Sequence, residues 1–134
     1  MKLKCHRFDL SIKPLTKAGP DGWLHFQVKI VVPGFNGNFE AEMQFEDLVR
    51  FKNDLKVMEQ TVGEVHEAYL GSAEPGIFIS LKSSKLGGVA GRYRFESERY
   101  DGEPTCLSGA FEMDQTFLKP LLATVYEDLK KIKI

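Results

Sequence analysis

The clearest pattern along the chain begins at Trp23, where WLHFQVKIVV places Leu24, Phe26, Val28, Ile30 and Val32 on one side and His25, Gln27 and Lys29 on the other. That two-residue period predicts a half-buried strand. Upstream, LKCHRFDLSI alternates in part and reads as a first strand ended by Pro14, and TKAGPDG after it is turn chemistry supplied by Gly19, Pro20, Asp21 and Gly22. Downstream, Pro33-Gly34 and Asn36-Gly37 punctuate the chain before NFEAEMQF, where Phe39, Ala41 and Met43 alternate with Glu40, Glu42 and Gln44. This segment is expected to pair with the preceding strand as a hairpin.

From Phe45 the period lengthens. Leu48, Phe51, Leu55, Met58 and Val62 recur at spacings of three and four, the apolar stripe of a helix about 17 residues long. Glu46 and Asp47 suit its positive N-terminal end, and Gly63 suits a C-terminal stop. Strand patterns then return in quick succession as EVHEAYLGSA, GIFISLK, GVAGRYRFES and TCLSGAFEM, each bounded by turn residues. In the third, Val89, Gly91, Tyr93 and Phe95 share one face while Arg92, Arg94 and Glu96 share the other. The last stretch, TFLKPLLATVYEDLKKIKI, regains a helical period through Leu118, Leu121, Leu122, Val125, Leu129 and Ile132. Ahead of it, Asp114 or Thr116 is placed to accept a backbone hydrogen bond as a cap, with Pro120 in the first turn, where its missing N–H costs little.

These elements predict an α+β fold. About seven mostly antiparallel strands form a strongly curved sheet or a two-layer β-sandwich, with one helix inserted mid-chain and one at the C-terminus. A length of 134 residues suits a single domain, residues 1 to 134, with one core. Composition agrees, with 43% hydrophobic and 28% charged residues, and no repeat, low-complexity tract or linker is present. The longest apolar run falls far below the ~20 residues that span a bilayer. MKLKCHRFDL has no apolar region suited to a signal peptide. A cytoplasmic protein without a membrane partner is therefore expected.

Charge changes the picture more than composition does. The formal net charge of −1 argues against a nucleic-acid partner held by phosphate neutralisation. Yet residues 1 to 35 carry six Lys or Arg against two Asp, a balance of +4, and residues 36 to 76 carry three against nine, a balance of −6. An acidic middle of this kind presents either a solvated surface or a face complementary to a basic partner.

Candidate chemistry is sparse. His6, His25 and His66 lie on three separate predicted strands without metal-ligand spacing, and neither a nucleophile elbow nor a phosphate-binding loop is present. Leu86-Gly87-Gly88 with Gly91 does not open a helix after a parallel strand, so it reads as a hairpin turn and a close-packing glycine rather than a dinucleotide site. Cys5 and Cys106 are too few for a disulfide framework and are expected to be reduced, partly buried thiols. No catalytic residue, metal or cofactor is assigned. The polar loop FESERYDGEP clusters Glu96, Glu98, Asp101 and Glu103 around Arg99 and Tyr100. It is either a charged hairpin tip or a recognition loop, in which Tyr100, like Trp23 elsewhere, would act as an aromatic anchor.

Taken in order, GWLHFQVKI, GFNGNFEAEMQFEDLVRFKNDL, YLGSAEPGIFISL with GGVAGRY, and FEMDQTFLKPLL resemble the WapI type of bacterial immunity protein. The likeness runs from about Gly22 to Leu129. The resemblance implies a non-catalytic cytoplasmic antidote that binds the C-terminal toxin domain of a polymorphic or contact-delivered effector, often a nuclease. Charge then nominates Glu40, Glu42, Glu46, Asp47, Glu96, Glu98, Asp101 and Glu103 for the partner-binding surface, with Trp23 and Tyr100 as anchors. Two other classes remain. A small enzyme would gather titratable groups in a concave pocket. A small-ligand or general interaction module would keep an open apolar cavity lined by Phe26, Tyr93 or Phe111. The residues do not specify oligomeric state or the toxin's identity.

Overall fold

The computed structural model describes residues 1–17, 19–71, 76–97 and 102–132. Strands β1 (Lys2–Cys5), β2 (Phe8–Pro14), β3 (Trp23–Val32) and β4 (Phe35–Gln44) form one antiparallel sheet in sequence order, followed by helix α1 (Phe45–Gln60). Strands β5 (Glu67–Gly71), β6 (Ile77–Ser83), β7 (Gly88–Ser97) and β8 (Thr105–Asp114) form a second, again in sequence order. A 3-10 turn over Gln115–Phe117 then leads into helix α2 (Leu118–Ile132). The fold is α+β, and neither sheet closes on itself.

Among the described residues the strands number eight, because LKCHRFDLSI folds back on itself. Cys5 pairs with Phe8 and Leu3 with Leu10, so His6 and Arg7 form a two-residue turn, with Arg7 in the left-handed region at φ 60°. The reversal keeps Leu3, Phe8, Leu10 and Ile12 all facing the core. A continuous strand would send the odd-numbered and even-numbered members of that set to opposite faces.

The inner faces of the two sheets meet through aromatic rings. Phe8 of β2 stacks on Phe111 of β8, with centroids 4.0 Å apart, and lies 5.1 Å from Tyr93 of β7. Phe39 of β4 approaches Phe95 of β7 at 6.1 Å. Around these rings the alternating strand residues Leu24, Phe26, Val28, Ile30, Ile79 and Leu81 are buried. Tyr93 lies over Gly109 directly across the ladder, and Phe111 lies over Gly91 in the same way, each ring occupying the space where a Cβ would stand. The phenol proton of Tyr93 is held more tightly than usual, because burial penalises the charged form.

Helix α1 buries Leu48, Phe51, Leu55 and Met58 and packs on β5 and α2. The backbone N–H of Gln44 donates to Asp47 Oδ2 at 3.1 Å, which fixes the entry to the helix. Val62 does not belong to the apolar stripe. The helix ends at Gln60, the Thr61 hydroxyl donates to the Val57 carbonyl at 2.6 Å, and Gly63 turns the chain at φ +91°, leaving Val62 67% exposed. Helix α2 buries Leu118, Leu121, Leu122, Val125 and Ile132, and its Thr124 hydroxyl accepts from the Lys2 backbone N–H at 3.0 Å, which ties the helix to β1. The Met1 amino group donates to the Ile12 carbonyl at 2.8 Å and forms a buried ion pair with Asp128 of α2. Burial lowers the pKa of that amine, against the opposing effect of Asp128.

Candidate functional site

The acidic residues singled out by charge that lie among the described residues fall into two groups, one on β4 and the start of α1 and one on β7 and the connection after it. Glu40 and Glu42 project from the outer side of β4, opposite Gln27 and His25 in the ladder. Both are exposed, and His25 Nδ1 lies 3.3 Å from Glu42 Oε1, an ion pair when the imidazole is protonated. Trp23 is half-buried at the start of β3 beside Gln44, with its backbone N–H donating to Asp21 Oδ1 at 3.2 Å. Glu46 is exposed in the first turn of α1. One residue after it, Asp47 has a different occupation, since its two carboxylate oxygens accept from the Gln44 backbone and from Arg50.

The second group lies on the other sheet. Glu96 accepts two hydrogen bonds from Arg94, at 2.8 and 3.2 Å, and is only partly exposed. Glu103 is exposed in the connection from β7 to β8. Glu98, Tyr100 and Asp101 lie outside the described residues. Among the described residues the surface therefore offers Glu40, Glu42, Glu46 and Glu103 as exposed carboxylates, Glu42 beside His25, whereas Asp47 and Glu96 are engaged with their own neighbours.

The histidines are dispersed. His6 occupies the β1–β2 turn, His25 faces Glu42, and His66 Nε2 lies 3.0 Å from Glu64. Among the described residues, no three His, Cys, Asp or Glu side chains approach closely enough to hold a metal ion. Asp114 accepts from the backbone N–H and the hydroxyl of Thr116, so its role at the entrance to the last helix is capping. Of the two thiols, Cys5 is half-buried, with burial raising its pKa, while Cys106 is exposed on the outer side of β8 and not partly buried as expected. Phe26, Tyr93 and Phe111 are packed into the core.

Two surfaces had not been singled out from the pattern. The outer face of the second sheet carries Tyr69, 46% exposed, and Phe78, 42% exposed, beside Arg92 and Arg94, with the Arg50 guanidinium 5.2 Å above the Tyr69 ring. Aromatic residues on the solvent side of the strand alternation are the trace this face leaves in the sequence. The second is a cleft of about 360 Å3 at one end of the two sheets, between the β3–β4 hairpin and the start of β8. Phe35, Phe39, Phe95 and Leu107 give it an apolar wall, and Asn36 and Thr105 are among its polar members. Only contact between the sheets creates it, and no local period reports that contact.

No described helix is long and apolar enough to cross a membrane. Searches of the curated proteins and of the solved structures returned no match. The model of the Immunity protein WapI-like family matches residues 3–133, nearly the full length, and the chain belongs to that family.

Proposed function

We propose that this protein is a cytoplasmic antidote that binds the C-terminal toxin domain of a polymorphic, contact-delivered effector and neutralises it without catalysis of its own. The observation that carries the reading is the match to the immunity family over residues 3–133. The whole chain acts as one domain, with no cofactor and no direct contact to nucleic acid or membrane.

The toxin domain is a nuclease. A nuclease needs a basic surface to hold phosphates, and the exposed carboxylates Glu40, Glu42, Glu46 and Glu103 supply the complementary charge. Glu98 and Asp101 add to it in the β7–β8 connection, Trp23 and Tyr100 are the aromatic anchors, and Asp47 and Glu96 support the surface through their bonded neighbours. Attraction of this kind acts over about 8–10 Å at physiological salt, so it steers approach more than it fixes the final complex.

Co-expression with the toxin domain encoded beside this chain should restore growth, and the purified pair should associate more slowly as salt rises. Persistent toxicity together with failure of the purified proteins to associate overturns the reading.

A further inference from the structure

The four sheet edges are not treated alike. Strand β1 is tied to α2 through Lys2 and Thr124. Strand β5 is packed by α1, from which Arg50 donates to the Gly71 carbonyl. Strand β4 carries Glu40 and Glu42 on the outer side of its second half. Charges and covering helices are the usual means of stopping an edge from pairing with another chain. Among the described residues, strand β8 has neither over most of its length. Thr105 to Phe111 reads TCLSGAF, without a charge or a proline, and Ser108, Gly109 and Ala110 are exposed. Among the described residues β8 bonds to β7 alone.

Register shows which groups are free. The Glu96 N–H donates to the Gly76 carbonyl, away from β8, so Glu96 and Cys106 form a non-hydrogen-bonded pair. By alternation along the antiparallel ladder, the N–H and C=O of Cys106, Ser108, Ala110 and Glu112 point outward from the sheet edge. Beside this row lies the cleft walled by Phe39, Phe95 and Leu107. An added strand would alternate side chains across the sheet as β8 does, directing every second one inward toward that cleft.

We propose that β8 is the docking edge for an extended segment of the toxin domain, which adds to the second sheet as a fifth strand and places an apolar side chain in the cleft. This rests on the antidote reading and names its contact. Strand addition gives affinity through main-chain bonds and specificity through pockets for alternate side chains, and it leaves the carboxylates of β4 to steer. A second copy of this chain fits the edge less well. Pairing two β8 strands about Gly109 sets Phe111 beside Leu107 and Met113 beside Thr105 of the other copy, and the Phe111 and Met113 side chains are already buried in their own core.

The test uses the full chain and the toxin domain encoded beside it. Ser108→Pro and Ala110→Pro each delete an outward N–H and no bond to β7, a substitution an edge strand tolerates. Each should melt close to wild type and bind the toxin domain at least 100-fold more weakly. Hydrogen exchange on the wild-type pair gives a second readout that needs no variant. The amides of Cys106, Ser108, Ala110 and Glu112, open in the free protein, should slow on binding. Folded proline variants that bind as wild type, or unchanged exchange at those four amides, overturn the docking edge while the antidote reading stands. Variants that bind normally but convert a dimer to a monomer assign the edge to a second copy and also overturn it. Failure of the wild-type chain to bind the toxin domain overturns the antidote reading itself.

Discussion

Strands β4 and β8 occupy the same place in two halves built to one plan, four antiparallel strands in sequence order followed by a helix. Each has ten residues, lies at a sheet edge and runs directly toward a helix. They differ in what they place on their two sides. Strand β4 alternates Phe39, Ala41 and Met43 inward with Glu40 and Glu42 outward, so the second half of its exposed backbone is flanked by like charges. Strand β8 stays uncharged from Thr105 to Phe111, and one inward position, Gly109, has no side chain because Tyr93 takes its space. The first half thus guards its edge. The second exchanges bulk with its neighbour through two ring-over-glycine pairs, Tyr93 with Gly109 and Phe111 with Gly91, and leaves a smooth, unguarded strand.

If that difference is one of surface, the halves should still unfold together, because their inner faces share one stack of rings. The largest expected effect follows from removing its centre. Phe8→Ala deletes the ring between Phe111 and Tyr93, and buried Phe→Ala changes cost about 3–5 kcal/mol. For a chain of this length that lowers the melting temperature by roughly 10–20 °C. Wild type should melt in one transition by calorimetry. Two separated transitions in wild type would show that the halves are independent units.

Next in size is a contrast between glycines. A methyl at Gly91 collides with the Phe111 ring, which Phe8 and the core hold in place. Gly91→Ala should cost about 1–3 kcal/mol, the usual range for overpacking. Gly37, in the β3–β4 hairpin, would bring a methyl to 2.9 Å from Ile30 Cγ2, one end of a side chain, and Gly37→Ala should cost less. Equal costs, measured by urea denaturation, would remove the claim that the second half depends on these pairs in a way the first does not.

The local pattern announced which side of each strand faces the core, and much less about which strand lies where. Strands β3, β6 and β7 and both helices were legible because alternation or three-and-four spacing continued unbroken. The β1–β2 turn was also written in the sequence, as a switch of apolar residues from the odd positions Leu3 and Cys5 to the even positions Phe8, Leu10 and Ile12. It was missed because alternation on either side of a two-residue turn resembles one irregular strand. Val62 kept the helical spacing beyond the point where Thr61 and Gly63 stop the helix, so its period continued without a structure to serve. Among the candidate site residues, charge found the exposed carboxylates Glu40, Glu42, Glu46 and Glu103. Charge alone could not separate them from Asp47 and Glu96, whose partners Gln44, Arg50 and Arg94 lie two or three residues away and meet them only once the helix and the strand have formed. The openness of β8 was illegible for a similar reason. An edge is defined by what fails to pack beside it.

A third effect concerns the guarded edge. Reversing its charge with Glu40→Lys and Glu42→Lys together should slow association with a basic toxin domain by about tenfold at low salt, with the difference shrinking as salt rises. Stopped-flow kinetics reads the rate directly. A drop in dissociation half-life with an unchanged association rate would instead place β4 inside the final contact.

The smallest effects lie where each edge strand turns into its helix, because the two junctions solve one problem with different groups. At the end of β4 the Asp47 carboxylate, mostly buried, reaches back to the Gln44 N–H. At the end of β8 the exposed Asp114 carboxylate accepts forward from Thr116. Asp47→Ala should cost about 1 kcal/mol, a usual figure for a lost cap, and Asp114→Ala should cost less, since water can replace its bonds. Asp114 nonetheless leaves a pH signature. Its bonds to the Thr116 hydroxyl and N–H hold its pKa below the ordinary 3.8. The folded carboxylate therefore releases its proton more readily than the unfolded one, and its contribution is present above about pH 4 and lost as pH falls through the folded pKa. Melting temperatures of wild type and Asp114→Asn, compared from pH 6 to pH 2, should differ by a few degrees at most near neutrality and converge in acid, where both side chains are uncharged. A gap that persists unchanged to pH 2 would mean that the charge on Asp114 plays no part in the cap, leaving the two junctions closer in chemistry than their sequences suggest.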